Sequence, residues 1–320
     1  MRVGFIGLGN VGGKLAGSLL RNGFELTVRD LDVGVAQPLL SLGAKWADSP
    51  AAVAGESDMV ITCLPSPAIS AAVMEAADGV LAGLSAGKIW LEMSTTDESE
   101  VRRLGDKVRA LSGAPMDCPV SGGCHRAATG NISIFAGGER ETFERVLPVL
   151  TALGRQILHT GPLGSASILK VVTNYLASVH LVALGEAMMT AKKSGLDLAT
   201  TYEGIRISSG NSFVHETESQ VILNGSRNIN FTMDLVVKDM GLFQDLADRS
   251  AIPLELSPRV LQLFRQAKSR LGERAWSPNI VVALEEACGE RLWAPGFPSE
   301  IVDNEPESMG CEVRVGGSVR

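Results

Sequence analysis

Concentrated positive charge is missing from this chain. Its 320 residues carry 29 lysines and arginines against 36 aspartates and glutamates, a net charge of −7, with no dense basic run. That balance leaves no electrostatic footprint for nucleic acid or an anionic membrane surface. Cysteine is scarce as well. Cys63, Cys118, Cys124, Cys288 and Cys311 are odd in number, form no CxxC pair and join no His/Cys cluster, which argues against a disulfide framework and a structural zinc site. No metal is expected, and a cytoplasmic location follows. The N-terminal MRVGFIGLGNVGG has too short an apolar run and too much glycine for a signal peptide. Uninterrupted apolar stretches of membrane-spanning length are also lacking. Residues 171–191 come nearest, but Asn174, His180 and Glu186 break them, so a buried core helix is the expectation there. There is no internal repeat and no low-complexity segment. What remains, 45% hydrophobic and 20% charged, is an ordinary soluble composition in a chain long enough for two domains.

The first third alternates strand and helix patterns. Residues 2–6 read as a short buried strand and Val11–Leu20 has helical periodicity. Between them Gly7-Leu8-Gly9-Asn10-Val11-Gly12 is a GxGxxG opening a helix. Its first glycine permits the tight turn, its second lets backbone approach a pyrophosphate at the helix N-terminus, and its third lets helix and strand pack closely. A second strand, Glu25–Val28, leads to Asp30, about 20 residues after Gly9. An acid there accepts hydrogen bonds from the adenosine ribose and repels a 2′-phosphate, which puts NAD ahead of NADP; Arg29 leaves room for dual use. The bland alternative for Asp30 is a strand-end residue. Met59–Leu64 is a continuous apolar run of the kind buried in parallel sheets, stopped by Pro65-Ser66-Pro67. Lys88–Glu92 makes another strand, and Ser94-Thr95-Thr96-Asp97 after it reads both as a helix cap and as a loop facing a nicotinamide. Strands at Ala114–Asp117, Ile132–Ala136 and Gln156–His159 bring the sheet to about eight. The fold class is therefore α/β, a Rossmann-type doubly wound sheet with ligand at the carboxyl ends of its strands.

Within Asp117-Cys118-Pro119-Val120-Ser121-Gly122-Gly123, the Ser-Gly-Gly exposes backbone amides and a hydroxyl, a concavity suited to a carboxylate, or else a plain turn. His125 and Arg126 follow. They either meet a second anionic group on a substrate or form the solvated first turn of a helix. The stretch 161–189 is apolar at helical spacing on more than one face, and predicts a long, largely buried helix with Lys170 as its only charge before Glu186. Burying an ammonium costs several kcal/mol unless it is paired or neutral, and a perturbed amine is what a proton-transferring lysine needs. The other reading is a lysine that snorkels to water. Asn174 shares its face at i, i+4, and Ser167 lies one turn earlier as a packing residue. Helical patterns near 199–207, 213–223, 233–249, 256–270 and 280–287 make the rest all-α, with Lys238-Asp239 reading by default as a surface ion pair. We expect a dinucleotide-binding domain at 1–161, an all-α substrate and oligomerisation domain at 162–290 that includes the long linking helix, and an irregular tail at 291–320.

Taken in order, GFIGLGNVG, CLP at 63–65, EMSTTD at 92–97, DCPVSGG at 117–123, GPLGSASILKVVTN at 161–174 and KDMGLFQDLA at 238–247 resemble the signature blocks of the β-hydroxyacid dehydrogenases, the family of 3-hydroxyisobutyrate dehydrogenase. The resemblance spans about residues 1–290. It implies that Lys170 is the catalytic lysine and that Asn174 orients the substrate. It further implies that Ser121, Gly122 and Gly123 hold the substrate carboxylate, and that Lys238 lies over the cofactor with Asp239 beside it. Gly7, Leu8, Gly9, Asn10, Val11 and Gly12, with Leu64, Pro65 and Thr95, would line the dinucleotide. Asp30 falls where NAD-using members carry an acid, and Leu31 where many NADP-using members carry arginine. This sequence departs from the pattern at Cys124, His125 and Arg126, where members often have small residues, at Ile69, and in its long tail.

The expected function is NAD-dependent interconversion of a small 3-hydroxy acid and its semialdehyde or keto acid, with Lys170 as general acid/base, by a homodimer or homotetramer. An NADPH-dependent aldehyde or imine reductase of the same fold is one alternative; Lys170 argues against the imine reductases, which typically replace it. A non-catalytic NAD-binding regulatory module is the other.

Overall fold

The structure, a computed structural model, describes residues 1–316. Residues 317–320 of the expected tail lie outside the described residues. In chain order the strands are β1 (Val3–Ile6), β2 (Leu26–Arg29), β3 (Lys45–Trp46), β4 (Met59–Thr62), β5 (Ile89–Glu92), β6 (Ala114–Asp117), β7 (Val120–Ser121), β8 (Ser133–Gly137), β9 (Gln156–Gly161) and β10 (Cys311–Glu312). They form one sheet in the order β10-β9-β8-β6-β5-β4-β1-β2-β3, with β7 paired to β8. The continuous apolar runs become its centre because both faces are covered. β1, β4 and β5 are buried at every residue. Val3 pairs in parallel with Leu26 on one side and Met59 on the other. The chain thus leaves β1 in one direction and returns to β4 in the other, which opens a crevice at their carboxyl ends.

Eight helices accompany these strands: α1 (Gly12–Arg21), α2 (Gln37–Ser41), α3 (Pro50–Glu56), α4 (Pro67–Glu75), α5 (Val80–Gly83), α6 (Glu98–Ala110), α7 (Gly123–Ala128) and α8 (Arg140–Leu153). Strand alternation divides the core between the two faces. Phe5, Ile61 and Leu91 join Leu15, Leu19 and Phe143 on one side. Ile6, Val60 and Trp90 join Val53, Met74 and Leu104 on the other. Each such side chain taken from water contributes about 2 kcal/mol.

The next helix, α9 (Ser165–Lys193), is followed by α10 (Leu198–Arg206), α11 (Phe213–Asn224), α12 (Met233–Arg249), α13 (Leu256–Leu271) and α14 (Val282–Cys288). Contacts divide the chain into one unit of Met1–Lys170 with the segment from Asp303, and a second of Val171–Val302. This division of contacts lies inside α9, because the first turn of α9 is bonded into the sheet unit. The second unit is helical and packs around Leu181, Met188, Ile222, Met240 and Phe264. Tyr175 stacks on Phe243 with ring centres 4.1 Å apart. A buried Arg227 Nη2–Glu285 Oε1 pair at 2.7 Å and a Leu292 N–H donating to the same oxygen at 2.6 Å tie the end of α11 to α14.

Two expectations are corrected. By length and apolar composition α9 could cross a membrane, yet only 33% of its most apolar window is buried within this chain, so it is not the largely buried helix its sequence suggests. Leu181, Leu184 and Met188 form one buried stripe, while Leu176 is 46% exposed. Among the described residues the sheet also has ten strands rather than about eight: seven follow the patterns named above, and β3, β7 and β10 are two-residue pairings without a hydrophobic pattern of their own.

The tail belongs to both units. Residues 291–302 stay with the helical one, where Leu292 and Ala294 are buried. From Asp303 the chain runs along the sheet unit. Glu307 pairs with Arg21 Nε at 2.9 Å, Arg155 Nη2 donates to the Pro306 carbonyl at 2.9 Å, and Glu312 pairs with Arg140 at 2.5 Å. Cys311–Glu312 then adds β10 in parallel to Gln156–Ile157 of β9.

Candidate active site

The turn from β1 into α1 separates its three glycines by cause. A Cβ on Gly7, whose φ is +95°, would lie 2.3 Å from the Cys63 carbonyl oxygen. One on Gly12 would lie 2.0 Å from the Gly7 carbonyl oxygen, so the protein's own packing demands both glycines. Gly9 is different: a Cβ there meets nothing within 4 Å. Open space beside an amide-lined turn at the head of a helix is what close approach of a pyrophosphate requires, so these residues fit a dinucleotide. Asp30 is fixed beside the turn. Its Oδ2 accepts the Leu8 N–H at 2.6 Å and its Oδ1 the Asp32 N–H at 3.2 Å. Leu31 is 97% exposed, and Arg29 lies over the Trp46 ring, 4.9 Å from its centre. Asn10 contributes its carbonyl to Lys14 Nζ at 3.1 Å, and half-buried Val11 precedes α1.

Across the crevice, the loop after β4 is held from below. The Leu64 N–H donates to Ser94 Oγ at 2.7 Å, and Ser94 in turn donates from its hydroxyl and, at 2.9 Å, from its N–H to Glu92 Oε1. Glu92 is fully buried, and burial pushes its carboxyl pKa up against the hydrogen bonds from Ser94. Pro65 is exposed and Thr95 half-buried at this edge. Asp97 caps α6 through the Ser99 and Glu100 N–H groups at 2.8 and 3.3 Å. Ile69 is exposed on α4.

The second glycine turn follows β7. Ser121 pairs with Ser133 of β8, and Gly122 and Gly123 take φ of +125° and +85°, a pair of left-handed positions that few other residues tolerate. His125 and Arg126 fold back on them. Cβ atoms built on Gly123 and Gly122 would sit 2.8 Å from His125 Cε1 and 3.3 Å from Arg126 Cδ. Burial, with the Arg126 guanidinium second, holds the His125 imidazole below its ordinary pKa. Burial likewise raises the thiols of Cys118 and Cys124, so neither is a ready thiolate.

Asp117, at the end of β6, joins this turn to α9. Its Oδ1 accepts the Gly164 N–H at 2.8 Å, and its Oδ2 accepts the Ser167 N–H at 2.7 Å and the Ser167 hydroxyl at 2.8 Å. A carboxylate in this place answers the unpaired donors at the start of the helix and suits its positive end. Gly137 makes room, since a Cβ there would be 2.4 Å from Asp117 Oδ1. Lys170 follows Ser167 by three positions and is 7% exposed. Ser167 is thus an anchoring residue, beyond the packing role expected of it.

In the helical unit, Asn174 Nδ2 donates to Asp239 Oδ2 at 2.6 Å, and Lys238 Nζ lies 2.8 Å from Asp239 Oδ1. The Asp239 side chain is 3% exposed, so Lys238-Asp239 is an inward pair and not the surface pair its sequence suggests by default. Ser178 Oγ donates to the Asn174 carbonyl at 2.9 Å.

The sequence-derived residues therefore gather into local groups: Leu8 with Asp30, Gly7 with the Cys63-Leu64 edge, Gly122 and Gly123 with His125 and Arg126, and Asn174 with Asp239 and Lys238. Asp117 and Glu92 stand outside the roles read from sequence, and Ser94, read there as part of a cap or of a loop facing the nicotinamide, holds the Leu64 loop instead. Their one signal was position, since each stands at or just past the carboxyl end of a sheet strand.

Residues 2–161 match the NAD binding domain of 6-phosphogluconate dehydrogenase, and residues 164–283 match the NAD-binding of NADP-dependent 3-hydroxyisobutyrate dehydrogenase. The chain is 33% identical over 275 residues to the mitochondrial 3-hydroxyisobutyrate dehydrogenase of Rattus norvegicus, covering 84% of this chain and 82% of that one. It is 33% identical over 285 residues to 2-(hydroxymethyl)glutarate dehydrogenase of Eubacterium barkeri, covering 88% and 94%. A crystal structure of 3-hydroxyisobutyrate dehydrogenase from Salmonella typhimurium superposes with a TM-score of 0.81 at 29% identity, over 88% of this chain and 99% of that one. Two glycine turns on the sheet, open space at Gly9 and these matches along nearly the whole chain make it a member of the β-hydroxyacid dehydrogenase family, oxidoreductases with a nicotinamide cofactor.

Proposed function

We propose that the protein oxidises a small 3-hydroxy acid reversibly to its semialdehyde or keto acid, with NAD in preference to NADP. The observation that carries this reading is the buried Lys170, set on a helix whose start is bonded through Asp117 to the strand leading into the second glycine turn. When bound, the nicotinamide supplies the acceptor for the hydride of the carbinol carbon. Ser121, Gly122 and Gly123 hold the substrate carboxylate through backbone amides and a hydroxyl. Lys170 Nζ takes the hydroxyl proton during oxidation and returns one to the carbonyl oxygen during reduction. Asn174, one helical turn on, orients the hydroxyl, and its bond to Asp239 sets which way its amide faces. Gly7 to Gly12 would receive the pyrophosphate, with Leu64, Pro65 and Thr95 along the dinucleotide, and Lys238 is assigned to the cofactor by the family resemblance.

Preference for NAD is supported by the pinned Asp30 carboxylate, by Asp32 two residues on, and by Leu31 where a 2′-phosphate would need a cation. The uncovered side of α9 around Leu176 supports a homodimer or homotetramer as the working form. The test is turnover. Purified protein with NAD and separately with NADP is assayed at alkaline pH against 3-hydroxyisobutyrate, 2-(hydroxymethyl)glutarate, L-serine, threonate and 3-hydroxypropionate. Lys170→Ala should lower kcat by about 10²- to 10⁴-fold while still binding NAD. Retention of most of kcat by that variant would remove Lys170 from the mechanism.

A further inference from the structure

None of the steps above uses the acidic segment that begins at Asp303, yet that segment reaches the second glycine turn. The stem of Arg126 lies along Gly122, and its guanidinium Nη2 is 3.8 Å from Glu305 Oε1. The other carboxylate oxygen of Glu305 is 3.7 Å from Arg155 Nη2. Glu305 is held at this place by its backbone. The Asn131 amide donates to the Glu305 carbonyl at 2.9 Å and to Asp303 Oδ2 at 2.8 Å, the Thr129 hydroxyl also donates to Asp303, and the Glu305 N–H donates to Asp303 Oδ1 at 3.1 Å.

We propose that Glu305 is a specificity-determining residue that, by facing Arg126, restricts the substrate site to hydroxy acids bearing a single negative charge. The inference rests on the reading of Ser121, Gly122 and Gly123 as the carboxylate cradle. An arginine beside that cradle is a natural anchor for a second carboxylate or a sulfonate, because its planar fork binds such groups bidentately. Glu305 fills that role from within the chain and repels a second substrate anion at the same time. Glu305 is itself more than half exposed, so the discrimination it gives is modest and falls with salt.

Calorimetric titration of the NAD-saturated protein with butyrate and with glutarate, unreactive carboxylates of one and two charges, reads this without turnover. Glu305→Gln should raise the ratio of glutarate to butyrate affinity about fivefold, equivalent to about 1 kcal/mol. Adding Arg126→Ala on that background should cancel the gain. An unchanged ratio in Glu305→Gln, with butyrate still bound, overturns the specificity role and leaves the cradle standing. Failure of both carboxylates to bind either protein overturns the cradle reading, and the role of Glu305 goes with it.

Discussion

Replacing Asp117 with Asn tests how the start of α9 is held, and its size follows from the three donors that the carboxylate accepts. An asparagine keeps one acceptor oxygen but turns an NH₂ toward the others. If its oxygen serves Gly164, the amide nitrogen meets the Ser167 N–H, and a buried backbone donor loses its acceptor at a cost of about 1 to 3 kcal/mol. The Ser167 hydroxyl can rotate to accept instead, so its contribution is partly retained. Against this loss stands relief from burying a charge, which is what pushes the Asp117 pKa up. The net expectation is about 2 kcal/mol of destabilisation. With a urea slope of about 2 kcal/mol/M, the midpoint of the sheet unit should fall by about 1 M, read by fluorescence, to which buried Trp90 contributes. Because Lys170 sits on the next turn, kcat should drop by about tenfold or more with little change in NAD affinity. Asp117→Ala, which leaves all three donors unanswered, should do worse on both measures. An asparagine variant with unchanged midpoint and unchanged kcat would refute the claim that this carboxylate positions the lysine.

The two inner glycines of the first turn should fail in different ways. Gly12→Ala drives a Cβ to 2.0 Å from a backbone oxygen and should cost about 2 kcal/mol or more in urea, whereas Gly9→Ala fits the protein and should keep its midpoint while raising the NAD Kd about tenfold by calorimetry. Glu218 gives a pH dependence. Burial raises its carboxyl from 4.5 to about 8, so between these values folding takes up a proton that the unfolded chain has released; the stability this group contributes is fully present below about pH 4.5 and is lost as pH rises to about 8. Glu218→Gln should therefore be more stable than the parent at pH 8 by on the order of 4 kcal/mol and close to it near pH 4.5, in paired urea titrations. Parallel curves at both pH values would dispose of this account.

The long apolar strands and the glycine turn were legible because each carries a pattern of its own: runs such as Met59–Thr62 are apolar throughout because both of their sides are buried, and Gly7, Gly9 and Gly12 stand at fixed spacing between a strand and a helix. The existence of α9 was legible too, but not its covering, since periodicity says which residues are apolar and not which of them the same chain packs against. Asp117 stood in the sequence only as the last residue of a strand and the first of the block that ends in Gly123. Its partners lie across β7, α7, β8, α8 and β9 in the sequence, and no spacing rule joins them. The same distance hid the meaning of Arg126. A solvated first turn and a substrate contact were both open on sequence, and the nearby Glu305 comes from the far end of the chain. Two-residue strands such as β10 carry no pattern at all; neighbouring backbone decides them.

β10 closes an edge of the sheet with residues synthesised a whole helical unit after β9. While α9 to α14 are being translated, β9 presents an unpaired row of backbone donors and acceptors, an invitation to the wrong strand. This edge of the nascent sheet unit therefore stays open until the segment that holds β10 has been made. A product that stops after α14 would keep its first glycine turn and leave one flank of the sheet open to aggregation.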